Sequence, residues 1–348
     1  MKAKTILLLF FAVVTAGILF QPRASVAASA VIELTYANFP PAPTFPCVQM
    51  ERWAREVEKR TGGKVKVRTF PGGTLLPAKN ILDGVVSGLA DIGNFAMSYQ
   101  PGRFPVSEAI DLPLGFTSSK VASLTLYDLV EKHQPKEFSQ VKALAFFTCP
   151  PTNFMTRTPV KSLADLKGME LRVAGTSAEI VKRLGGIPVA MPQSETPEAI
   201  QKGVVKGIVS SLEILQDFKF AAYTPHAAIV NLPVVSFAVV MNRKKWDSLP
   251  PDVQKVMDDM RREHSEWTGE YVDNHVRESL AWSKKDYDHQ VYTFSKADID
   301  AMNELLRPIT DSYIARVSAL GFAADKIVSD VMELKKHHER QGAVAAPR

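Results

Sequence analysis

The sequence predicts an α/β protein of two lobes, each a mixed sheet flanked by helices, with one long helix bracing both. Three observations carry this reading. The first hundred residues alternate strand, helix, strand, helix, strand, the order of a doubly wound sheet with parallel neighbours. A second such unit opens at Ser162, where a short capped helix and a turn lead into the strand Leu171-Arg172-Val173 and a glycine-opened loop at Gly175. Finally, Asp252 to Tyr287 keeps one helical period. At 1.5 Å per residue it would reach about 50 Å, longer than one small lobe.

Taken in order, residues 1–30 read as a secretory leader. Lys2 and Lys4 precede the apolar run Thr5 to Phe20, and Ala24 to Ala30 is rich in small residues, which places cleavage near residues 27–30. The 16-residue run is short of the ~20 needed to span a bilayer. Lys2, Lys4 and Arg23 lie in this leader, so the formal charge of +5 falls to near +2 in the exported chain. Basic and acidic residues are interspersed without a basic stripe, which argues against nucleic acid as a partner. The roughly 318 remaining residues suffice for two cores.

Val31 to Ala37 alternates as a strand, and Asn38 to Pro46 is a proline-loaded loop carrying Phe39 and Phe45. Val48, Trp53 and Val57 mark one apolar helical face ended by Thr61-Gly-Gly63. Lys64 to Phe70 alternates strictly as the next strand. A helix over Ala78 to Ser87 and a strand over Ala90 to Phe95 follow. Gly84-Val-Val-Ser-Gly88 finds an echo in Gly203-Val-Val-Lys-Gly207, the expectation for two similar lobes. In the second unit Ser162 and Asp165 form a capping-box pattern and Gly168 suits the turn. A helix over Ala178 to Leu184 comes next. Pro250 and Pro251 start the long helix, Asp298 to Leu320 is another, and 341–348 reads as a disordered tail. The lobes are expected to divide as 31–150 plus 236–275 and 151–235 plus 276–340, with crossings near Thr148–Asn153 and Val234–Met241.

No catalytic motif emerges. The seven histidines show no metal-ligand spacing, and there is no nucleophile elbow, phosphate loop or dinucleotide fingerprint. No cofactor is expected. Cys47 and Cys149 fit either one disulfide or two buried thiols. An exported two-lobed chain of this kind suggests a protein that closes around a ligand. Arg172 sits where a parallel strand leaves its sheet, and a guanidinium there can grip a carboxylate through two hydrogen bonds.

The chain resembles the extracytoplasmic solute receptors of tripartite ATP-independent periplasmic (TRAP) transporters, the DctP family. The resemblance runs through Trp53-Ala-Arg-Glu-Val-Glu-Lys-Arg-Thr-Gly-Gly, Phe70-Pro-Gly-Gly-Thr-Leu, Gly88-Leu-Ala-Asp-Ile-Gly, Pro159 to Val173, Leu184-Gly-Gly-Ile-Pro-Val, and Trp246-Asp-Ser-Leu-Pro-Pro. It implies the periplasmic-binding-protein-like fold, a periplasmic location, and delivery of an organic acid to a small and a large integral membrane subunit under an ion gradient. It also implies that Arg172 pairs with the substrate carboxylate. Two family features are absent: Thr152 stands near the place of a second arginine, and Val205-Lys-Gly-Ile-Val-Ser-Ser211 replaces the usual acidic, amide-bearing run. With Phe39, Phe95, Met97 and Tyr99 as candidate apolar walls, and Asn94, Gln193 and Ser210 as orienting groups, the expected ligand is a monocarboxylate with an apolar or aromatic body. Lys79 or Lys206 is a candidate for holding a second charge. The alternatives are a C4-dicarboxylate receptor, a sensor subunit for a membrane kinase and an exported hydrolase.

Overall fold

The computed structural model describes residues 31–174, 177–191 and 193–345. The leader at 1–30, Gly175 and the tail residues 346–348 therefore lie outside the described residues.

The first lobe begins with β1 (Ile32–Asn38), α1 (Phe45–Arg60), β2 (Val65–Phe70), α2 (Ile81–Ser87) and β3 (Ile92–Ala96), followed by α3 (Ser119–His133) and β4 (Val141–Thr148). The chain then crosses to the second lobe: β5 (Thr152–Thr156), β6 (Glu170–Val173), α4 (Ser177–Arg183), β7 (Ile187–Ala190), α5 (Thr196–Gln201), β8 (Gly207–Ser210), α6 (Ile214–Asp217) and β9 (His226–Leu232). It returns through β10 (Ser236–Asn242), α7 (Arg243–Asp247) and α8 (Pro251–Tyr287), and ends with β11 (Gln290–Thr293), α9 (Lys296–Ala319) and α10 (Ala324–Ala345).

The two sheets repeat one plan. In the first the order is β2-β1-β3-β10-β4, and in the second β11-β9-β5-β8-β6-β7. In each, three parallel strands meet an antiparallel strand that has just crossed from the other lobe: β10 against β3, and β5 against β8. Strand alternation puts a core on each face. On β3, Ile92 and Ala96 join Trp53 and Met257 on one side while Phe95 joins Phe104 and Ile110 on the other. In the second lobe, Phe154 and Val209 face one core, Met155 and Ile208 the other.

The sequence echo does not mark equivalent positions: Gly84 lies inside α2, whereas Gly203 follows α5. Gly88 and Gly203, not Gly84 and Gly203, are equivalent. Each is a left-handed glycine (φ 83° and 74°) ending a short helix four residues before its strand region. The region read as one helix over Ala78 to Ser87 splits into a 3-10 turn at Ala78–Asn80 and α2.

Two helices bridge the lobes. Val253, Met257, Met260 and Val272 of α8 pack in the first lobe, whereas Val276, Leu280 and Trp282 lie against the second. At Gly269 an added Cβ would stand 2.6 Å from Lys120 Cα, so the missing side chain lets α3 and α8 touch. The second bridge was not expected. Met302 and Leu306 of α9 fill the second lobe, Ile309 touches both, and Tyr313 and Val317 lie in the first. The stretch after Ile309 thus packs with the first lobe rather than the second, where Ala324, Ile327 and Val331 of α10 cover α3. The periodicity marked these helices but not which lobe each apolar stripe would meet. The expected disordered tail instead continues α10 through Ala345.

Candidate functional site

Arg172 reaches its place by alternation. Leu171 and Val173 enter the core on one face of the second sheet, which turns Arg172, in register with Ile208, onto the other. Its side chain is only 2% exposed. The Nε donates to Met191 O at 3.0 Å and Nη1 donates to Gln193 Oε1 at 3.0 Å. Among the described residues no carboxylate pairs with it. Burial lowers its proton affinity from the ordinary arginine value to about 10, with the neighbouring Tyr99 opposing the shift. The guanidinium is therefore still charged at neutral pH. A buried cation held only by neutral acceptors is costly, and an anion supplied from outside relieves that cost.

Tyr99 feels Arg172 in return. Burial raises its hydroxyl, the Arg172 charge opposes the rise, and Cys149 adds to it. Phe39 stands beside Tyr99, ring centroids 5.6 Å apart, and stacks on Phe237 at 6.4 Å. Phe237 in turn stacks on Phe147 at 5.2 Å and meets Phe45 edge-on. An aromatic wall of the first lobe thus adjoins the buried cation.

The remaining sequence candidates fall into several places. Gln193 holds Arg172, as described. Ser210 is half-buried on β8, two residues beyond Ile208 and so on the Arg172 face of the sheet. Asn94 is fully buried, its Nδ2 donating to Asn38 Oδ1 at 3.0 Å, while its Oδ1 has no partner. Thr152 is buried in the crossing, its hydroxyl donating to Pro233 O at 2.9 Å. Phe95 and Met97 are buried in the first-lobe core with Phe104, Met97 in the same short turn as Tyr99. Lys79 and Lys206 are exposed, and Lys206 stands at the opposite end of β8 from Ser210. Gly175 lies outside the described residues.

The two cysteines are free and buried, so no disulfide forms. Cys47 Sγ donates to Pro40 O, and Cys149 Sγ accepts from Val235 N and donates to Pro150 O. Burial pushes Cys47 up to about 12 and raises Cys149 as well, which keeps both as unreactive thiols. Among the described residues no group of three or more His, Cys, Asp or Glu is placed to hold a metal ion.

Sequence reasoning missed two buried acids at the crossing. Asp111 accepts from Ser236 N and Oγ at 2.9 and 3.0 Å and is pushed up to about 7 by burial. Glu213 accepts from Ser211 Oγ at 2.6 Å and is likewise raised to about 7. Both feel Cys149. The signal for Glu213 was a single acid in Ser-Ser-Leu-Glu-Ile-Leu directly after a strand.

Two sheets of matching topology, a long bridging helix and a strand-end arginine near the crossing define a two-lobed solute receptor. The profile of the bacterial extracellular solute-binding protein family 7 (DctP) matches residues 40–316, and the chain belongs to this family of TRAP-type receptors. It is 52% identical to a TRAP periplasmic solute-binding protein from Desulfovibrio salexigens, covering 89% of this chain and 97% of that one with a TM-score of 0.84. That structure is an open complex with the C-terminus of a symmetry mate in its ligand-binding site. A marine metagenome TRAP receptor specific for aromatic acids, in complex with 3-hydroxybenzoate, is 26% identical with a TM-score of 0.83 over 88% of this chain and 98% of that one. The C4-dicarboxylate-binding protein DctB of Bacillus subtilis is 23% identical over 82% of this chain and 81% of its own length. Among the described residues no helix is long and apolar enough to cross a membrane.

Proposed function

We propose that this receptor captures a monocarboxylate with an apolar or aromatic body between its lobes and passes it to a small and a large integral membrane subunit. In this reading residues 1–30 are a leader removed on export to the periplasm. The observation that carries the ligand class is Arg172, a 2% exposed arginine with no acidic partner among the described residues, next to the Phe39, Tyr99 and Phe237 wall. One cation takes one carboxylate, and the rings offer area for a hydrocarbon body. Ser210 and Gln193 are the proposed orienting groups. Asn94 offers its Oδ1, which has no partner among the described residues. The aromatic-acid relative supports the same ligand class.

The dicarboxylate reading draws on the name of the Bacillus relative. It needs a second cation, and Lys79 and Lys206 are exposed. A ligand's second carboxylate would then be buried unpaired, at a cost larger than a few hydrogen bonds return. Isothermal titration with benzoate, phenylacetate, succinate and malate decides between the two. The proposal expects the aryl acids to bind and succinate to bind at least tenfold more weakly, and tighter binding of succinate or malate overturns it.

A further inference from the structure

Glu213 is a second buried group that the protein leaves incomplete. It is 3% exposed, and Ser211 Oγ satisfies Oε1, yet Oε2 is buried with no hydrogen-bond partner among the described residues. Among the described residues no lysine or arginine pairs with it. Of its charged neighbours, His275, whose Nε2 meets Asp217 Oδ1 at 2.6 Å, attracts Glu213 and Asp217 repels it, and neither hydrogen-bonds to Oε2. Cys149, the remaining group nearby, is a thiol engaged with backbone.

The placement ties Glu213 to the ligand site. It follows the C-terminal end of β8, whose neighbour β6 carries Arg172 in register with Ile208. Ile208, Leu212, Ile214 and Leu215 all pack on one face of the sheet, the face to which Arg172 turns. The connection to Arg172 is indirect: Tyr99 neighbours both Arg172 and Cys149, and Cys149 neighbours Glu213. Adjacent strands thus lead, among the described residues, to a buried cation with no carboxylate partner and a buried carboxyl oxygen with no donor. A polar oxygen with no partner in such surroundings is unfavourable until something donates to it.

We propose that Glu213 is a specificity-determining residue, receiving a hydroxyl or ring N–H carried by the acid whose carboxylate sits on Arg172. The inference rests on Arg172 as the carboxylate anchor and narrows the proposed ligands to acids with a hydrogen-bond donor away from the carboxylate. Burial raises Glu213 to about 7, so near neutral pH it meets the ligand either as an acceptor or as a carboxylic acid hydrogen-bonded to the same hydroxyl. An alkyl ether at that position removes the donor, and an unsubstituted ring leaves Oε2 unmet.

Titration of the full-length exported chain with benzoate, 3-hydroxybenzoate and 3-methoxybenzoate, and with the corresponding phenylacetates, reads this directly. The hydroxyl acids should bind roughly ten- to a hundredfold more tightly than the other two of each set, the range of a charge-assisted hydrogen bond. In Glu213→Met that preference should collapse to within about threefold while the affinity for benzoate is kept. Glu213→Gln, which retains the shape and an acceptor, should keep part of it. The inference is overturned if wild type binds the methoxy and hydroxy acids equally, or if Glu213→Met keeps the wild-type preference. The wild-type comparison holds even if a variant fails to fold. If no aryl acid binds, the proposed ligand class fails separately. Glu213 is then judged by 4-hydroxybutyrate against butyrate, where equal affinities or no binding reject it too.

Discussion

Replacing Arg172 by methionine separates binding from folding more sharply than any other change. The guanidinium is held well below its ordinary value by burial, down to about 10, so folding without ligand works against its charge by on the order of 3 kcal/mol. Methionine fills much of the same volume without charge. It leaves Met191 O and Gln193 Oε1 without their donors, at roughly 1 kcal/mol each. The ligand-free variant should therefore be as stable as wild type or more so, by about 1 kcal/mol. Binding should move the opposite way, because a buried carboxylate left without its cation costs about 3–5 kcal/mol, a loss of roughly 150- to 5000-fold in affinity. Chemical denaturation of the ligand-free proteins gives the first quantity and calorimetry the second. In a thermal-shift assay, ligand at a hundred times Kd adds about 2.7 kcal/mol to wild type and should add almost nothing to the variant. A variant that loses several kcal/mol of stability and keeps its affinity would refute the argument, making Arg172 a packing residue.

Three further outcomes are expected. The receptor should contract on binding, bending at 148–153 and 232–236, so that small-angle scattering gives a smaller radius of gyration with saturating ligand; equal radii would mean rigid lobes. Gly269→Ala should cost about 1–3 kcal/mol by denaturant titration, since its Cβ would meet the Lys120 backbone at 2.6 Å and that backbone cannot rotate away. Glu213→Gln should change the pH profile of stability. Because folding raises this acid from 4.5 to about 7, the wild type holds the stability of the protonated form below pH 4.5 and loses it as pH rises to about 7. The variant should match wild type near pH 4.5 and exceed it at pH 8, and equal stabilities at both would show that Glu213 carries no such cost.

Much of the fold was written locally. The capping box of Ser162 and Asp165 is present in full, and β6, α4 and the long α8 stand within a residue or two of their expected places. Those elements depend on caps, prolines and periodicity, all of which are properties of neighbouring residues. Arg172 was legible for the same reason: a charged residue between Leu171 and Val173 must turn away from their core. What the sequence left out was long-range. Nothing local to Phe95 or Met97 says that they enter the core around Phe104 while Phe39 stands near Tyr99. Whether Thr152 points at a ligand or at Pro233 O depends on a strand eighty residues away. Glu213 was hidden because an acid is ordinarily a surface residue, and only the packing of α6 under α8 shows that this one is buried.

The second bridging helix changes how closure has to work. If α8 were the single brace, the lobes could turn about two strand crossings with one helix flexing. With α9 also spanning both cores, any rotation must be absorbed by two helices that meet different lobes at different points. Their sequences differ accordingly. Around its change of lobe α8 is continuous, and Ser279 pins it to α6 by hydrogen bonds to Leu212 O and Glu213 O. In α9 the change falls between Leu306 and Tyr313, and Pro308 sits there. A proline inside a helix removes one backbone hydrogen bond and weakens the helix against bending at that point. Motion between the lobes should therefore concentrate at Pro308 and at the crossing strands, while the second half of α8 moves with α6 and so with Glu213. The stiff brace would then keep the Arg172 face of the second lobe intact, and the aromatic wall of the first lobe would swing onto it.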